Sequence, residues 1–387
     1  MKTYFLINSL TNGGAERVVL TLSEKFLSQG DEVTIISLNR NDRYPVPEGV
    51  KMVYLSEMND EGSGIVRMLL IPYYAWKLRQ YSRQHKIAVI QSHLARSNFV
   101  NVLSKLFAAP HQTQLVSHGI ASEYHLQGML GRVYLGLMRF FYARADLLIS
   151  ISHRMREDFR TLFSFTNRHI VLHNPYDIER IRQLAEEPVT PDEFVFKPHV
   201  RYLIGVGKLL SLKRYEDIIE VLVKLPKEVE LLLLGSDGGE LNRLKQLAVE
   251  RELSSRVHFL GHVANPFNYI RQSDLFILTS RTEGFPNVLI EALASQTAIV
   301  STDCVSGPRE ILAPDTNIHT LLTDKIEVAQ YGLLYPVGDQ ALLYEAVMHL
   351  LDNPLLREQY AQQGIKRAEN FDIGKIADSY RDILQGV

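Results

Sequence analysis

Short runs of β-branched, aliphatic and aromatic residues alternate with stretches whose apolar positions recur at helical spacing along most of the chain. This is the pattern of βα units wound around a parallel sheet. Two such series follow one another. The first predicts strands at Tyr4 to Asn8, Glu32 to Leu38, Ala88 to Gln91, Gln114 to His118, Asp146 to Ser150 and His169 to His173. Its helices fall at about residues 14–29, 65–85, 95–108, 128–144 and 153–162. The second predicts strands at Tyr202 to Val206, Glu230 to Gly235, Val257 to Leu260, Leu275 to Leu278 and Ala298 to Ser301. Helices accompany them near 214–224, 239–252, 265–272, 286–295 and 307–312, and two more follow at 339–351 and 353–369.

Between the two series the charged, proline-punctuated run Glu186-Glu187-Pro188-Val189-Thr190-Pro191 reads as a hinge linker. The expected organisation is an α/β chain of two doubly wound domains, over 1–180 and 199–370, joined by a linker at 181–198. A last helix lies within 371–387; periodicity does not identify its partner, and the N-terminal domain is one candidate. Open α/β sheets bind ligands beyond the carboxyl ends of their strands, so the chemistry is expected in the loops after the strands, with the two domains facing across a cleft.

Composition narrows the class without naming a function. The 387 residues are 46% apolar and 22% charged, which excludes collagen-like, low-complexity and disordered chains. Cys304 is the only cysteine, so there is no intrachain disulfide framework and no cysteine-cluster zinc site. It reads as a small buried apolar residue. No run reaches the roughly 18 to 20 apolar residues of a membrane span, and Thr3 to Asn8 is too short for a signal-peptide core, so a cytoplasmic location is expected.

The net charge of −2 gives no reason to expect nucleic acid, but its distribution is uneven. Residues 1–200 hold 23 Lys and Arg against 19 Asp and Glu, leaving 19 against 25 in the remainder. Gly62 to Arg144 holds ten basic residues and one acid, Glu123. Arg67, Trp76, Lys77, Arg79, Arg83, Arg132, Arg139 and Arg144 lie there among large apolar side chains, as an interfacial helix facing an anionic membrane surface requires. The same pattern also suits amphipathic helices packed on the first sheet with solvated basic faces.

Three loops carry candidate chemistry. Thr11-Asn12-Gly13-Gly14-Ala15-Glu16-Arg17 opens a helix after the first strand, and its spacing fits a tight turn as well as an anion site at the helix terminus. Gly207-Lys208 and Lys213 follow the first strand of the second series, either as a diphosphate-binding pair or as solvated lysines. Ser280 to Leu293 places Glu283 in a loop after a strand, Pro286 at the first turn of a helix, and Glu291 on that helix. A carboxylate among apolar helix residues needs hydrogen-bond donors, which sugar hydroxyls supply, although spacing equally allows two surface acids.

Glu283 and Glu291, with seven residues between them and Gly284-Phe285-Pro286 after the first, resemble the paired-glutamate motif of the retaining GT-B glycosyltransferases of family 4. Gly13-Gly14-Ala15-Glu16-Arg17 resembles the family's N-terminal glycine loop, Gly207-Lys208 with Lys213 its diphosphate-binding pair, and Ser117-His118-Gly119 the segment bearing its active-site histidine. The resemblance covers nearly the whole chain. It implies a GT-B fold of two Rossmann-like domains, with Lys208 and Lys213 neutralising a departing diphosphate and Glu291 accepting ribose hydroxyls. It further implies that Glu283 holds hydroxyls of the donor sugar and that His118 contacts that sugar. Main-chain N–H groups of Gly284, Phe285 and Asn287, around Pro286, are expected near sugar and phosphate, and Gly13 and Gly14 over the diphosphate. The uracil site is expected around Gly235-Ser236-Asp237-Gly238 and Gly261-His262-Val263. Lys208 stands where many relatives carry arginine, which keeps the charge and loses the planar fork.

Ser306-Gly307-Pro308-Arg309-Glu310-Ile311-Leu312, with Glu283 to Asn287, is similar to the bacterial glycan-assembly N-acetylhexosamine transferases, particularly those using UDP-N-acetylgalactosamine. The implied reaction moves N-acetylgalactosamine or another N-acetylhexosamine from a UDP-sugar to a polyprenyl diphosphate-linked saccharide at the inner face of the cytoplasmic membrane. No cofactor is expected. No Asp-x-Asp occurs in the chain, and departure without a metal is expected. Transfer from UDP-glucose or UDP-galactose, a soluble acceptor, nucleotide-sugar epimerisation, and nucleotide-sugar binding without turnover remain as alternatives. No GxGxxG opens either series, which disfavours NAD-dependent oxidoreduction.

Overall fold

The computed structural model describes residues 1–11, 13–57 and 64–385; Asn12 of the glycine loop, residues 62–63 of the basic stretch, and residues 386–387 lie outside them. The chain divides into two compact units, Met1–Tyr176 with Ile373–Val387, and Asp177–Asp372.

The first unit opens with β1 (Lys2–Ile7), α1 (Gly14–Ser28), β2 (Glu32–Ser37), β3 (Lys51–Tyr54), α2 (Gly64–Leu69) and α3 (Ile71–Gln84). It continues with β4 (Val89–His93), α4 (Ala95–Leu106), β5 (Gln112–Ser117), α5 (Gly128–Tyr142), β6 (Leu147–Ser150), α6 (His153–Phe163) and β7 (Arg168–Val171). Among the described residues its sheet has seven parallel strands in the order β3-β2-β1-β4-β5-β6-β7. The order reverses between β1 and β4, where the loops after two adjacent strands diverge to opposite faces of the sheet.

Two features of this unit depart from the periodicity. β3 was not expected: it is a four-residue edge strand without the buried apolar run that marks a central one. The single helix expected over 65–85 is broken at Leu70. Pro72, in the first turn of α3, has no N–H to continue a helical ladder from α2.

The second unit begins with α7 (Ile178–Ala185), β8 (Arg201–Val206), α8 (Tyr215–Leu222), β9 (Val229–Leu234), α9 (Leu241–Glu250), β10 (Val257–Gly261) and α10 (Phe267–Gln272). Then come β11 (Leu275–Leu278), α11 (Asn287–Ala294), β12 (Ala298–Thr302), α12 (Pro308–Leu312), β13 (Glu327–Ala329), β14 (Gly332–Tyr335), α13 (Gln340–Leu351) and α14 (Pro354–Ala368). The sheet order is β10-β9-β8-β11-β12-β14-β13, parallel except for the terminal β13–β14 pair. β9 is buried along its whole length, as a strand covered on both faces must be. β13 and β14 were not expected from the pattern, being three and four residues long.

The linker expected at 181–198 is a correction. The division falls between Tyr176 and Asp177, and α7 belongs to the second unit. Its apolar face of Ile178, Ile181 and Ala185 is buried, it packs against α10 and α11, and Asn265 Nδ2 donates to Leu184 O at 2.8 Å. Further on, Phe194 and Phe196 stack edge-on against Tyr202, fixing the rest of the segment to β8. The final helix, α15 (Ile373–Leu384), packs in the first unit against α1 and β4, and Arg381 reaches Asp31 at 2.6 Å.

Candidate active site

In the second unit the sheet order reverses between β8 and β11, and the loops after these two strands are tied together. Thr279 Oγ1 donates to Lys213 O at 2.6 Å, and Arg281 N donates to Leu212 O at 2.8 Å. Across this junction Lys213 Nζ meets Glu283 Oε1 at 2.6 Å, and the same oxygen accepts from Ser280 Oγ at 2.6 Å. Both charged side chains are largely covered, at 17% and 12% exposure, so water screens the pair less than it would a surface one. Tyr215 lies beneath, and burial together with the nearby Glu283 carboxylate pushes its phenol up.

The three cations after β8 therefore separate. Lys213 turns to Glu283, Lys208 stays exposed, and Arg214 forks onto Asp217 at 2.7 and 3.0 Å.

The loops after β9 and β10 join the same end of the sheet. Leu209 N donates to Ser236 O at 2.9 Å, Gly238 N donates to Leu209 O at 3.0 Å, and Gly235 N donates to Gly261 O at 2.7 Å. Gly235 has φ +144°, and a Cβ there would lie 2.0 Å from Gly207 O, so only glycine allows the loops this close. Val263 is half-buried beside this junction and His262 is exposed.

Glu291 is buried on α11 among Leu289, Ile290 and Ala292. Pro286 precedes the helix as its N-cap rather than lying in its first turn. Phe285 is buried with its ring 5.4 Å from that of Phe371, so only its main chain remains for a ligand. Ser306 Oγ holds Gly284 O at 2.6 Å, and Arg309 is engaged by Asp303 at 2.6 Å and Glu327 at 3.0 Å. The 306–312 segment thus braces the loop carrying Glu283.

In the first unit, Gly13 is the N-cap of α1 with an ordinary extended backbone. Its lack of a side chain matters because Glu16 folds back over it: a Cβ would lie 2.2 Å from Glu16 Oε2. Thr11 Oγ1 donates to Glu16 Oε1 at 2.9 Å, and burial raises the Glu16 carboxyl above its ordinary value. Glu16, quoted in the motif but given no role, is a structural member of the glycine loop.

His118 follows β5 and is half-buried, lining a cavity of about 220 Å³ with Ser117, Tyr124, Met138, Tyr142 and Phe159. Asp158 Oδ2 accepts from the N–H groups of Ala121 and Ser122 at 2.8 and 3.1 Å and so fixes the chain just beyond it. His118 Nε2 lies 3.0 Å from His93 Nδ1, and His93 Nε2 lies 3.2 Å from Gln91 Oε1. Burial pushes His118 down to about 4 and holds His93 well below the ordinary imidazole range, so both rings are neutral at neutral pH. Sequence reasoning missed His93 and Gln91. The available signal was their spacing, two polar residues at i and i+2 on one face of a fully buried strand.

The basic stretch lies on successive helices, with α4 packed between α3 and α5. Trp76 is 46% exposed on α3 with Tyr73 and Arg83 also exposed, and Lys77 lies over the Tyr73 ring. On α5, Met129 is 84% exposed, with Leu130, Val133 and Phe140 exposed among Arg132 and Arg139. Arg144, just beyond, stacks on the Phe140 ring at 3.8 Å. Arg67 and Arg79 are half-buried, so they contribute less to this face than their sequence positions suggested.

Residues 12–180 match the family described as Glycosyltransferase Family 4, and residues 189–367 match Glycosyl transferases group 1. The chain is 30% identical over 388 residues to the N-acetylgalactosamine-N,N'-diacetylbacillosaminyl-diphospho-undecaprenol 4-alpha-N-acetylgalactosaminyltransferase of Campylobacter jejuni, covering 99% of this chain and 98% of that one. Among solved structures it is similar to Anabaena HepE in complex with UDP, at 20% identity and TM-score 0.75, with both chains covered in full. It is also similar to WaaG, a glycosyltransferase involved in lipopolysaccharide biosynthesis, at 17% identity, TM-score 0.75 and full coverage of both. The two parallel α/β units, the motifs at their strand ends and these matches together show that the chain belongs to the GT-B glycosyltransferases of family 4.

Proposed function

We propose that this glycosyltransferase moves an N-acetylhexosamine, N-acetylgalactosamine first among them, from a UDP-sugar to a lipid-linked saccharide, with retention of anomeric configuration and without a metal ion. The observation that carries the reading is the Lys213–Glu283 pair at the switch point of the second sheet, on the same end as Glu291 and the joined loops at Gly207, Gly235 and Gly261. The Campylobacter relative is named for N-acetylgalactosamine transfer to a diphospho-undecaprenol-linked acceptor, and HepE is described in complex with UDP.

Lys213 has three donors and gives one to Glu283, which leaves the others for phosphate oxygens; the exposed Lys208 adds a second positive charge. Main-chain N–H groups near Gly284 and Asn287 supply further donors at the start of α11. Glu291 takes ribose hydroxyls and Glu283 takes hydroxyls of the donor sugar. The bond from the anomeric carbon to the diphosphate breaks with its electron pair going to UDP. The acceptor oxygen then bonds to that carbon on the same face, and its proton passes to the departing phosphate. No side chain is assigned as a nucleophile.

Fixed cations and helix-terminal N–H groups stabilise the leaving charge in place of a metal. Among the described residues no helix is long and apolar enough to cross a membrane. The exposed aromatic and basic side chains of α3 and α5 support docking on an anionic bilayer, where a lipid-linked acceptor resides.

The test is incubation with a panel of UDP-sugars, with and without membrane extract, reading UDP release and the mass of the lipid fraction. UDP release from one UDP-N-acetylhexosamine only with extract, with a matching gain in lipid mass, is the expected result. Interconversion of UDP-sugars without extract would replace this reading with epimerisation.

A further inference from the structure

The two histidines at the end of the first sheet belong to a longer chain of hydrogen bonds. Gln91 and Gln114 face each other as partners across β4 and β5, and Gln91 Nε2 donates to Gln114 Oε1 at 3.1 Å. Gln114 Nε2 in turn donates at 2.6 Å to the main-chain carbonyl of Ile383, 269 positions later in the chain. Ile383 lies in the last turn of α15, where carbonyls have no partner within their own helix and need an outside donor. The series runs His118, His93, Gln91, Gln114, Ile383. All but His118 are buried, and His118 is half-buried.

A carbonyl oxygen can only accept, and that gives the whole series one direction. Gln114 must present its amide nitrogen to Ile383, which leaves its oxygen toward Gln91. Gln91 must then present nitrogen to Gln114 and oxygen to His93. His93 must donate from Nε2, and since it is neutral its Nδ1 is a bare acceptor. His118 must therefore donate from Nε2. Reversing any single amide would set oxygen against oxygen at one junction and leave buried polar groups unpaired.

We propose that Gln114, Gln91 and His93 are positioning residues that lock His118 as its Nε2–H tautomer, so that its bare Nδ1 accepts a hydrogen bond from a sugar hydroxyl. The lock is anchored on the C-terminal helix, which gives α15 a role at the site beyond covering the first unit. A histidine held this way is a fixed acceptor that selects for a hydroxyl and against an oxyanion, which a protonated ring would instead attract. The contact with a sugar rests on the glycosyl-transfer reading; the tautomer does not.

The experiment is long-range proton–nitrogen correlation NMR on the full chain labelled with 15N-histidine at neutral pH, with the His118 signals assigned by their loss in His118→Gln. The expected spectrum has Nε2 protonated and Nδ1 bare. Gln91→Leu, and Gln114→Leu two hydrogen bonds further from His118, remove the direction of the relay. Each should introduce the Nδ1–H form of His118 at comparable population and lower kcat roughly twofold, in proportion to the productive fraction, with UDP affinity unchanged. A wild-type His118 protonated at Nδ1 would overturn the proposal even if neither variant folds, and an unchanged His118 signature in both folded variants would do the same. Adding the UDP-sugar that is turned over should shift the Nδ1 resonance. A correct tautomer with no such shift would overturn the sugar contact, whereas a correct tautomer with no UDP-sugar turned over would overturn the functional reading and leave the lock standing.

Discussion

Lys213 and Glu283 lie 70 positions apart and meet at 2.6 Å where the loops after β8 and β11 converge. Each would be costly in this half-buried setting without the other, so the ion pair sets both side chains before any ligand arrives. Glu283→Ala should therefore lower turnover more than UDP affinity, because Lys213 remains to hold phosphate while the acceptor for sugar hydroxyls is gone. Loss of a hydrogen bond to a charged group is worth about 1.5–3 kcal/mol, or roughly 10- to 100-fold in kcat. Steady-state kinetics with calorimetric UDP titration checks it, and an equal fall in both quantities would move Glu283 to the nucleotide.

Glu291 is expected to behave in the opposite way. It is 4% exposed on α11, and the proposed reading gives it the ribose hydroxyls of the donor as partners. Glu291→Ala should weaken UDP binding by roughly 10- to 100-fold, the same range for a charged acceptor. Calorimetry with UDP alone reads the effect without turnover. Undiminished UDP affinity would make Glu291 a structural carboxylate.

Under the proposed reading activity should survive EDTA, because Lys208, Lys213 and the N–H groups at the start of α11 are assigned the positive field that a divalent ion otherwise provides. The measurement is the rate of UDP release before and after chelation. A loss restored by Mn2+ would show that these groups are insufficient alone.

The alternation of strands and helices made the two parallel sheets legible because central parallel strands are buried on both faces and appear as apolar runs. β3 and β13 were not legible, since short edge strands lack that run, whereas β14 is buried throughout and its four-residue segment opens on a glycine, which weakens the strand pattern. The break before α3 follows from Pro72 itself, which the apolar period alone does not register, whereas the attachment of α7 depended on tertiary packing. At the candidate site, Glu283 and Glu291 stood out through their motif. The role of Glu16 comes from its fold-back onto Thr11 and Gly13 within one loop, and those of Gln91, His93 and Gln114 from contacts between strands that the spacing of Gln91 and His93 only hints at. Lys208 and Lys213 read as one cationic pair in the sequence, and only the fold turns Lys213 onto Glu283 while Lys208 stays exposed.

The buried histidines make the protein acid-sensitive in a defined window. His111 is 2% exposed, bonded to Ser82 and Asn101, and burial pushes it down to about 4 from 6.5. Its folded value is depressed, so below 6.5 the unfolded chain binds the proton first. Stability is complete above 6.5 and falls as the pH drops toward 4, by roughly 3 kcal/mol for this one residue. Urea unfolding across that range should show the decline, and His111→Asn should make it shallower by one residue's share, because His93, His118 and His169 are depressed by burial in the same way. Turnover should show no ionisation of His118 between about pH 5 and 8, since its ring also titrates near 4.

Binding to a membrane surface should depend on the cations that the structure leaves exposed beside apolar side chains. Arg132 and Arg139 lie on α5 among Met129, Val133 and Phe140, each of them at least 46% exposed. Each basic residue near an anionic surface contributes about 1 kcal/mol, so Arg132→Ala with Arg139→Ala should weaken sedimentation with phosphatidylserine-containing vesicles roughly 30-fold. Met129→Ser should weaken it further by removing an apolar group that enters the lipid, and neutral vesicles should bind the wild type poorly. Added salt should reduce binding of the wild type more than of the double variant, because screening acts on the charges that variant no longer has. Equal binding to neutral and anionic vesicles would show that the basic side chains of α5 do not face lipid. UDP affinity should be unchanged in all three substitutions, since none lies in the unit that carries Lys213, Glu283 and Glu291.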